Sequence, residues 1–307
     1  MKKRIAIIAL GLAATLSAIG QQAIAQETRP IKDLIGTVEV PVDPKRIVVS
    51  DGDFILQPTV ALGLKPIGAS RPSGTGEYSS VVAERISPDM KYIGEQRNPS
   101  FEDILAMEPD LILMSNDDVP DQKGMYERFS AIAPTVLINR EQLVWKQTLR
   151  DIGAATSRSA QAEELLARYE TRVKEVRAVI GERAGTASVP RIRPDHVRYM
   201  LQDKSFIWDV LKSLGFHAPE KQQKTGDVPF VRLNLESIDV LDADLILVLE
   251  DPGAKGAGGM VEKVSELPAY KALSGNRLTL STSEYLFGNV LTALELLDLI
   301  EAHYKKS

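Results

Sequence analysis

Two stretches of the chain are near copies of one another, and this duplication constrains the fold more than any other feature. Residues 101–113 read FEDILAMEPDLIL, and residues 235–247 read LESIDVLDADLIL. They align without a gap, and each copy predicts a short helix, an acidic turn and a wholly apolar strand of the parallel α/β kind. One such unit in each half predicts two similar lobes, each with its own sheet, and a ligand-binding cleft between them.

The N-terminus carries the pattern of a secretory signal peptide. Residues 2–4 are basic, residues 5–19 form a short apolar run, and Ala23-Ile24-Ala25 fits a cleavage site. The sequence contains no Cys, which excludes lipid attachment through cysteine, disulfides and thiolate metal sites. We therefore expect residues 1–25 to be removed and the mature protein to diffuse in a bacterial periplasm without a lipid anchor. An uncleaved membrane anchor is the alternative.

The composition argues against nucleic acid as a partner. The formal net charge is −5, and it becomes more negative when the cations of residues 2–4 are removed. Nucleic-acid-binding domains usually carry a basic surface, and an acidic composition of this kind does not indicate such a surface. With 44% hydrophobic residues, the remaining chain is long enough to form two cores.

A single amphipathic pattern from Ser157 to about Gly181 predicts one long helix. Thr156 or Ser157 can cap its start, and Gly181 can end it. At about 1.5 Å per residue such a helix is roughly 36 Å long, enough to run along both lobes. We therefore predict an N-terminal lobe at 26–155, a bridging helix at 156–185 and a C-terminal lobe at 186–307. A surface helix inside one lobe is the alternative.

Further strands and helices follow from apolar runs and turn residues. Strands are predicted at 46–50, 66–69, 135–138, 191–193, 244–249 and 277–280, and helices at 206–214 and 289–304. The segments after the strands are expected to line the cleft. They are residues 51–53, 70–72, 115–117, 250–252 and 281–288.

Several segments resemble a known family over essentially the whole mature chain. They are residues 36–49 (GTVEVPVDPKRIVV), 61–68 (ALGLKPIG), 93–94 (IG), 191–198 (RIRPDHVR), 205–206 (SF) and 214–215 (LG). In these the chain resembles the ferric-siderophore periplasmic binding proteins of ABC importers.

The resemblance implies a class III periplasmic binding protein, with two Rossmann-like α/β lobes, mostly parallel central sheets and one long bridging α-helix. It also implies no intrinsic cofactor, an Fe(III)-siderophore chelate as ligand, and delivery of that ligand to an ABC permease dimer with a cytoplasmic ATPase. We expect a monomer.

A ferric siderophore often carries negative charge and already saturates its metal, so its receptor needs Arg forks and aromatic faces. On position and on the resemblance, the candidate ligand-binding residues are Arg71, Tyr78, Arg97, Asn116, Arg193, Arg198, Phe230, Arg232, Tyr285 and Phe287. Tyr285 is expected to form an aromatic wall of the cleft. Arg191 is interpreted as a strand-edge charge, and Trp145 and Trp208 as core residues. For each candidate Arg, a solvated surface position is the alternative.

Glu102 and Glu236 occupy matched first-turn positions in the two repeat copies, whose helices are opened by Ser100 and Asn234. The family resemblance implies that one such Glu on each lobe pairs with Arg residues of the permease. The alternative is an acid that only stabilises a helix N-terminus, by about 0.3–1 kcal/mol.

Other functions remain open from the sequence. Haem or cobalamin binding by the same family is one alternative, but His196, His217 and His303 are the only histidines. A secreted α/β enzyme is the alternative from a different class. The sequence has no nucleophile elbow and no dinucleotide fingerprint, so we expect no enzymatic activity.

Overall fold

The computed structural model describes residues 27–73, 76–116 and 121–306. The predicted signal peptide of residues 1–25 lies outside these ranges. The strands are β1 (Thr28–Lys32), β2 (Thr37–Pro41), β3 (Ile47–Val49), β4 (Gly68–Ala69), β5 (Lys91–Tyr92), β6 (Gly94–Glu95), β7 (Asn98–Pro99), β8 (Leu111–Ser115), β9 (Thr135–Ile138), β10 (Ala187–Ser188), β11 (Pro190–Ile192), β12 (Val197–Met200), β13 (Phe230–Leu233), β14 (Leu245–Glu250) and β15 (Asn276–Ser281).

The α-helices are α1 (Leu56–Ala61), α2 (Ser80–Ala83), α3 (Phe101–Ala106), α4 (Gln122–Ser130), α5 (Trp145–Ala155), α6 (Ser159–Ile180), α7 (Phe206–Ser213), α8 (Met260–Glu266), α9 (Pro268–Lys271), α10 (Thr282–Tyr285) and α11 (Val290–Lys306). Short 3₁₀ segments occur at Gln142–Val144, Gly181–Arg183, Glu220–Gln222 and Leu235–Leu241. Within the described part of the chain, none of these helices has the length and apolar character needed to cross a bilayer.

The N-terminal lobe contains a parallel sheet with the strand order β5-β4-β3-β8-β9. Strands β3, β8 and β9 are buried along their whole length, as their continuous apolar sequences predict for a sheet covered on both faces. Because the strands are parallel, their carboxyl ends share one edge. The loops that follow β3, β4, β5 and β8 therefore meet there.

The C-terminal lobe contains a mixed sheet. Strand β14 is paired in parallel with β15 and with the two short strands β10 and β11, and β12 and β13 continue the sheet antiparallel. The predicted strands at 191–193, 244–249 and 277–280 are confirmed. The antiparallel pair β12 and β13 was not predicted, and it lies at the same edge as the end of β11.

The two repeat copies differ in local structure. The first forms α3, where the Ser100 hydroxyl accepts a hydrogen bond of 3.3 Å from the Asp103 amide. The second copy also forms the predicted short helix, but as a 3₁₀ helix rather than an α-helix. Leu235–Leu241 is 3₁₀, with a break at Ser237 and no side-chain cap from Asn234. Without that cap the first turn lacks the hydrogen bond that stabilises α3. The strands that follow the two copies, β8 and β14, are both buried as predicted.

Helix α6 is the predicted bridging helix, and its 22 residues span roughly 33 Å. Its buried side chains are Ala162, Leu166, Tyr169, Val173, Val176 and Ile180. Gly181 ends it with φ = +60°, a conformation that favours glycine. The predicted cap is wrong, because Arg158 occupies the N-cap position without a side-chain bond. Instead, the Ser157 hydroxyl accepts a hydrogen bond of 3.1 Å from Arg29 Nε, on β1.

Among the described residues, the two lobes share the largest of three hydrophobic clusters, which includes Val40, Tyr304 and the buried face of α6, and each lobe also has a smaller cluster of its own. Direct hydrogen bonds join the lobes as well. The amide of Gln57 donates to Thr292 at 2.8 Å, and the indole of Trp145 donates to Asp209 at 2.9 Å. The predicted lobe boundaries at 155 and 186 therefore stay a prediction, since packing does not separate the lobes.

An ion-pair network fastens α6 to α11. Arg172 donates to Glu301 at 2.6 Å and to Asp298 at 2.7 Å, and Lys305 lies 3.1 Å from Glu301. These partners, Arg172 first, lower the pKa of Glu301 to about 2.

We expect Glu301→Gln to lower the free energy of unfolding by about 1 kcal/mol at pH 7, after discounting for solvent screening. A lowered folded-state pKa stabilises the fold above the unfolded pKa of about 4.3 and loses that contribution as the pH falls toward 2. Urea unfolding at several pH values should therefore show the two proteins converging in acid. A constant difference from pH 7 to pH 3 would contradict this account, and Glu170→Gln, on an exposed position of α6, is the control.

Candidate ligand-binding cleft

A crevice separates the lobes where the strand ends meet. Gly52, Asp53 and Pro72 line it from the N-terminal lobe, and Ser283 and Phe287 line it from the C-terminal lobe. These residues belong to segments that follow β3, β4 and β15, as the parallel strands predict. The crevice therefore lies where the sequence analysis expected the cleft.

The C-terminal lobe presents a row of arginines at this edge. Arg191 on β11 lies directly opposite Arg198 on β12, which lies directly opposite Arg232 on β13. Residues directly opposite in antiparallel strands share one face, and like charges in such positions repel. We call Arg191, Arg198 and Arg232 the arginine ladder. Arg193, two residues beyond Arg191, adds a fourth cation beside it.

Arg191 is held by a buried ion pair. Its guanidinium donates to both oxygens of Asp251, at 2.5 and 2.8 Å, and both side chains are at most 8% exposed. Burial alone would raise the pKa of Asp251, but hydrogen bonds from Arg191 and Thr282 hold it below its ordinary value. The interpretation of Arg191 as a strand-edge charge is wrong, because Arg191 is buried and paired with Asp251. Thr282, which donates to Asp251 at 2.8 Å, lines the crevice.

Arg198 occupies the centre of the ladder, and none of the ion pairs described here involves it. It is 8% exposed, and its guanidinium lies 3.9 Å from the centroid of the Phe230 ring. Its Nε is buried and has no hydrogen-bond partner among the described residues. Burial, followed by the charges of Arg191 and Arg193, lowers the pKa of Arg198 to about 10. The group stays charged at neutral pH, so the protein retains a desolvated cation with unfilled donors.

The outer end of the ladder is more exposed. Arg232 lies 3.1 Å from His196 Nδ1 and 3.5 Å from Asp195. Arg193 lies 3.7 Å from Asp251 and 3.8 Å from Asp195. Its Nε is also buried and has no hydrogen-bond partner within the part of the chain that the structure describes. Donors without partners at two arginines indicate a site built to receive oxygen acceptors.

The floor of the N-terminal lobe is a hydrogen-bonded carboxylate network. Asp51 is fully buried and accepts a hydrogen bond from Gln96 at 3.0 Å, and the same amide donates to Ser115. Asp53 accepts from the amide and hydroxyl of Ser73 at 3.0 and 2.7 Å. Burial and then the charge of Asp51 raise the pKa of Asp53 to about 6. This side of the crevice is therefore less cationic than the ladder.

The predicted residues of the N-terminal lobe fall around this floor. Arg71 is exposed and lies 5.1 Å from the ring centroid of Tyr92, while the Tyr78 hydroxyl donates to the Ser70 carbonyl at 3.0 Å. Arg97 is exposed in the turn between β6 and β7. Their contact with a ligand stays a prediction.

Phe287 lines the crevice, and Asn116 follows directly after β8. The Asn116 side chain accepts a hydrogen bond from the Arg140 amide at 2.8 Å, and its contact with a ligand stays a prediction. Phe287 is half-buried and packs on Phe54 with ring centroids 4.8 Å apart. Phe287 therefore offers an aromatic surface that Tyr285 does not.

Tyr285 lies in the core. It is 7% exposed, and burial, followed by the neighbouring Glu295, raises its pKa above the ordinary value. Its ring packs in the large shared cluster, so an aromatic cleft wall at this position stays a prediction that its present burial does not favour. Trp145 and Trp208 are buried, as predicted for core residues.

Glu102 and Glu236 are both exposed, on α3 and on the 3₁₀ segment that opens the second repeat copy. Both are thus available to a partner protein.

Among the described residues, no group of three or more His, Asp or Glu side chains is arranged to hold a metal ion. The chemistry that the arginine ladder beside the crevice offers is recognition of an anion by guanidinium groups with aromatic contacts. Sequence reasoning placed Asp251 in a cleft-lining segment but did not predict its ion pair with Arg191, and it did not assign His196 to this site. An Asp directly after an apolar strand was the available signal, since carboxylates in such loops commonly orient cationic side chains.

Two α/β lobes, one long helix between them and a crevice rich in polar donors define the class of extracytoplasmic substrate-binding proteins. A family model described as "Periplasmic binding protein" matches residues 53–278. The chain therefore belongs to the periplasmic binding protein family, and the predicted family and fold class are confirmed. This is a family of substrate-binding proteins that work outside the cytoplasm, rather than of enzymes.

Relatives of known description agree with this assignment. The probable siderophore-binding lipoprotein YfiY of Bacillus subtilis (strain 168) is 29% identical over 80% of this chain and 79% of its own length. The achromobactin-binding periplasmic protein of Dickeya dadantii (strain 3937) is 30% identical over 62% of each chain. The crystal structure of Staphylococcus aureus SirA complexed with staphyloferrin B matches with a TM-score of 0.74 and 26% identity, over 91% of this chain and 99% of that one.

Proposed function

We propose that this protein captures a ferric siderophore in the crevice between its lobes and delivers it to an ABC-type inner-membrane permease dimer with a cytoplasmic ATPase, for iron uptake. The observation that carries the proposal is the arginine ladder with Arg193. Four guanidinium groups face only two acids, Asp195 and Asp251, within the contacts described above. A ligand with several anionic or carbonyl oxygens would supply the missing partners.

The site's chemistry fits a chelate rather than a free ion. Guanidinium groups cannot coordinate Fe(III), but they bind the oxygens of a metal complex that is already saturated. Phe230 and Phe287 supply apolar contact for its organic part. The descriptions of the relatives, which include siderophore-binding proteins, support the same class of ligand. The protein needs no cofactor of its own for this role.

The test is calorimetric titration of the protein lacking residues 1–25 with ferric citrate-type, catecholate and hydroxamate chelates, their iron-free forms, haem and cobalamin. We expect sub-micromolar binding of one ferric class and weak binding of its iron-free form. Arg193→Ala and Arg71→Ala should weaken binding about tenfold each, as the loss of a charge-assisted hydrogen bond predicts. Arg150→Ala is the control, because Arg150 pairs with Glu163 on α6 and does not belong to the arginine ladder.

If no siderophore binds in this titration, the proposal is overturned. A response only to haem or cobalamin would reassign the ligand within the family. Both tryptophans are buried and do not line the crevice. The heat of binding is therefore a more direct signal of ligand binding than a change in tryptophan fluorescence.

We also propose that Glu102 and Glu236 dock the loaded protein on the permease through its Arg residues. Their exposure and their matched positions in the repeat support this role. We expect Glu102→Gln/Glu236→Gln to reduce ⁵⁵Fe-siderophore uptake by cells at least tenfold while affinity in solution is unchanged. The matched control is Glu164→Gln/Glu170→Gln, on exposed positions of α6. Normal uptake by the docking variant would contradict this role.

We place the protein free in the periplasm after removal of residues 1–25. The absence of Cys from the sequence supports this placement, in contrast to the relative described as a lipoprotein. Fractionation of cells should recover the shortened protein in the osmotic-shock fluid, and membrane-bound full-length protein would contradict it.

A further inference from the structure

A second hollow adjoins the crevice on the outer side of the N-terminal lobe. It has a volume of about 450 Å³, within the range typical of small-molecule sites. Its lining comprises Arg71, Tyr78, Ala83, Ile86, Met90 and Tyr92, among others. The hollow and the crevice are neighbours because consecutive residues line them, such as Arg71 and Pro72, or Tyr78 and Ser79.

The hollow's polar side is built from three different elements. Arg71 follows β4, Tyr78 precedes α2 and Tyr92 ends β5, the edge strand of the sheet. The Tyr92 hydroxyl donates to Glu95 at 2.5 Å, and the Tyr78 hydroxyl donates to the Ser70 carbonyl at 3.0 Å. Each ring is thus held at its hydroxyl end.

Tyr92 is the unusual member of this group. It is 44% exposed, and its ring lies beneath the guanidinium of Arg71 rather than in the core. An exposed aromatic ring beside a cation and an apolar pocket is an arrangement that binds planar groups. Ile86 and Met90 complete the hollow with apolar surface.

We infer that this hollow is a subsite for a planar aryl arm of the chelate, held against Tyr92 and Tyr78 with its oxygen atoms toward Arg71. The inference rests on the proposed function, and it narrows the ligand to ferric chelates that carry an aryl-oxygen group. The arginine ladder on the other lobe binds the remaining anionic oxygens. The two lobes then bind different parts of one ligand.

The test compares two ferric chelates by calorimetry, an aryl chelate (ferric 2,3-dihydroxybenzoate) and a wholly aliphatic one (ferric citrate), on wild type and Tyr92→Leu. Leucine keeps apolar bulk but removes the ring. We expect the affinity for the aryl chelate to fall about five- to tenfold, the size expected for loss of one aromatic contact. The affinity for ferric citrate should be unchanged.

Tyr270→Leu is the matched control, because Tyr270 also lies under an arginine, Arg277 at 4.7 Å, but outside both hollows. It should bind both chelates as wild type does. An equal loss for both chelates in Tyr92→Leu, or no loss for the aryl chelate, overturns the aryl subsite while the proposed function stands. Failure of the wild type to bind any ferric chelate overturns both.

Discussion

Replacing Arg198 with methionine is expected to make the protein more stable and its ligand affinity lower. The pKa of Arg198, lowered to about 10, corresponds to an electrostatic cost on the order of 2–3 kcal/mol in the unliganded fold. Methionine removes that cost and keeps most of the apolar contact with Phe230, at the loss of about 1 kcal/mol of cation–π attraction. The free energy of unfolding should therefore rise by about 1–2 kcal/mol.

The same change should weaken ferric siderophore binding by about two orders of magnitude, because charged hydrogen bonds to the ligand contribute about 1.5–3 kcal/mol. Urea unfolding and calorimetry measure the two effects separately. Arg277→Met is the matched control, since this arginine also lies over an aromatic ring, that of Tyr270, and donates to the Tyr270 and Leu273 carbonyls. It should lose stability and keep its affinity. Loss of stability in Arg198→Met, or unchanged affinity, would contradict the assignment.

Asp251→Ala is expected to be the most destabilising single change around the crevice. It leaves Arg191, whose side chain is 6% exposed, buried without a counter-charge, and it also removes the nearest buried acid from Arg193. Breaking a buried ion pair from one side typically costs about 3–5 kcal/mol. The free energy of unfolding, measured in urea at neutral pH, should fall by that amount.

The double variant Arg191→Met/Asp251→Leu separates the ion pair from general packing at this position. Because both charges are removed together, it should be more stable than Asp251→Ala by at least about 2 kcal/mol. Asp195→Ala removes an acid of the same cluster that is 65% exposed, and it should cost less than about 1 kcal/mol. A double variant no more stable than Asp251→Ala would mean that Asp251 acts mainly through Thr282 and the loop.

The sequence predicted those parts of the fold that local patterns encode. Strands β8, β9 and β14 are continuous apolar runs, and the buried positions of α6 follow the helical repeat. Strands β12 and β13 escaped prediction because Arg198 and Arg232 interrupt their apolar pattern. Their pairing depends on partners about 35 residues apart, which no local pattern reports.

The site was predicted in outline but not in arrangement. Arg193, Arg198, Phe230 and Arg232 do lie together, but the reason is the register between three strands, which also brings Arg191 into the group. Tyr285 was expected at the cleft because of its place after β15 and because of the family resemblance. Its ring packs instead in the hydrophobic cluster that the two lobes share. Contacts between distant elements decided both outcomes.

The core shared by the two lobes has a consequence for cooperativity. Because side chains of both lobes pack together in the largest hydrophobic cluster, neither lobe can lose its structure without exposing part of the other lobe's interior. Heat should melt the molecule in one transition, with calorimetric and van't Hoff enthalpies in agreement. A gene fragment that encodes one lobe would yield a chain whose part of the shared cluster is open to water. The two lobes are therefore not independent folding units.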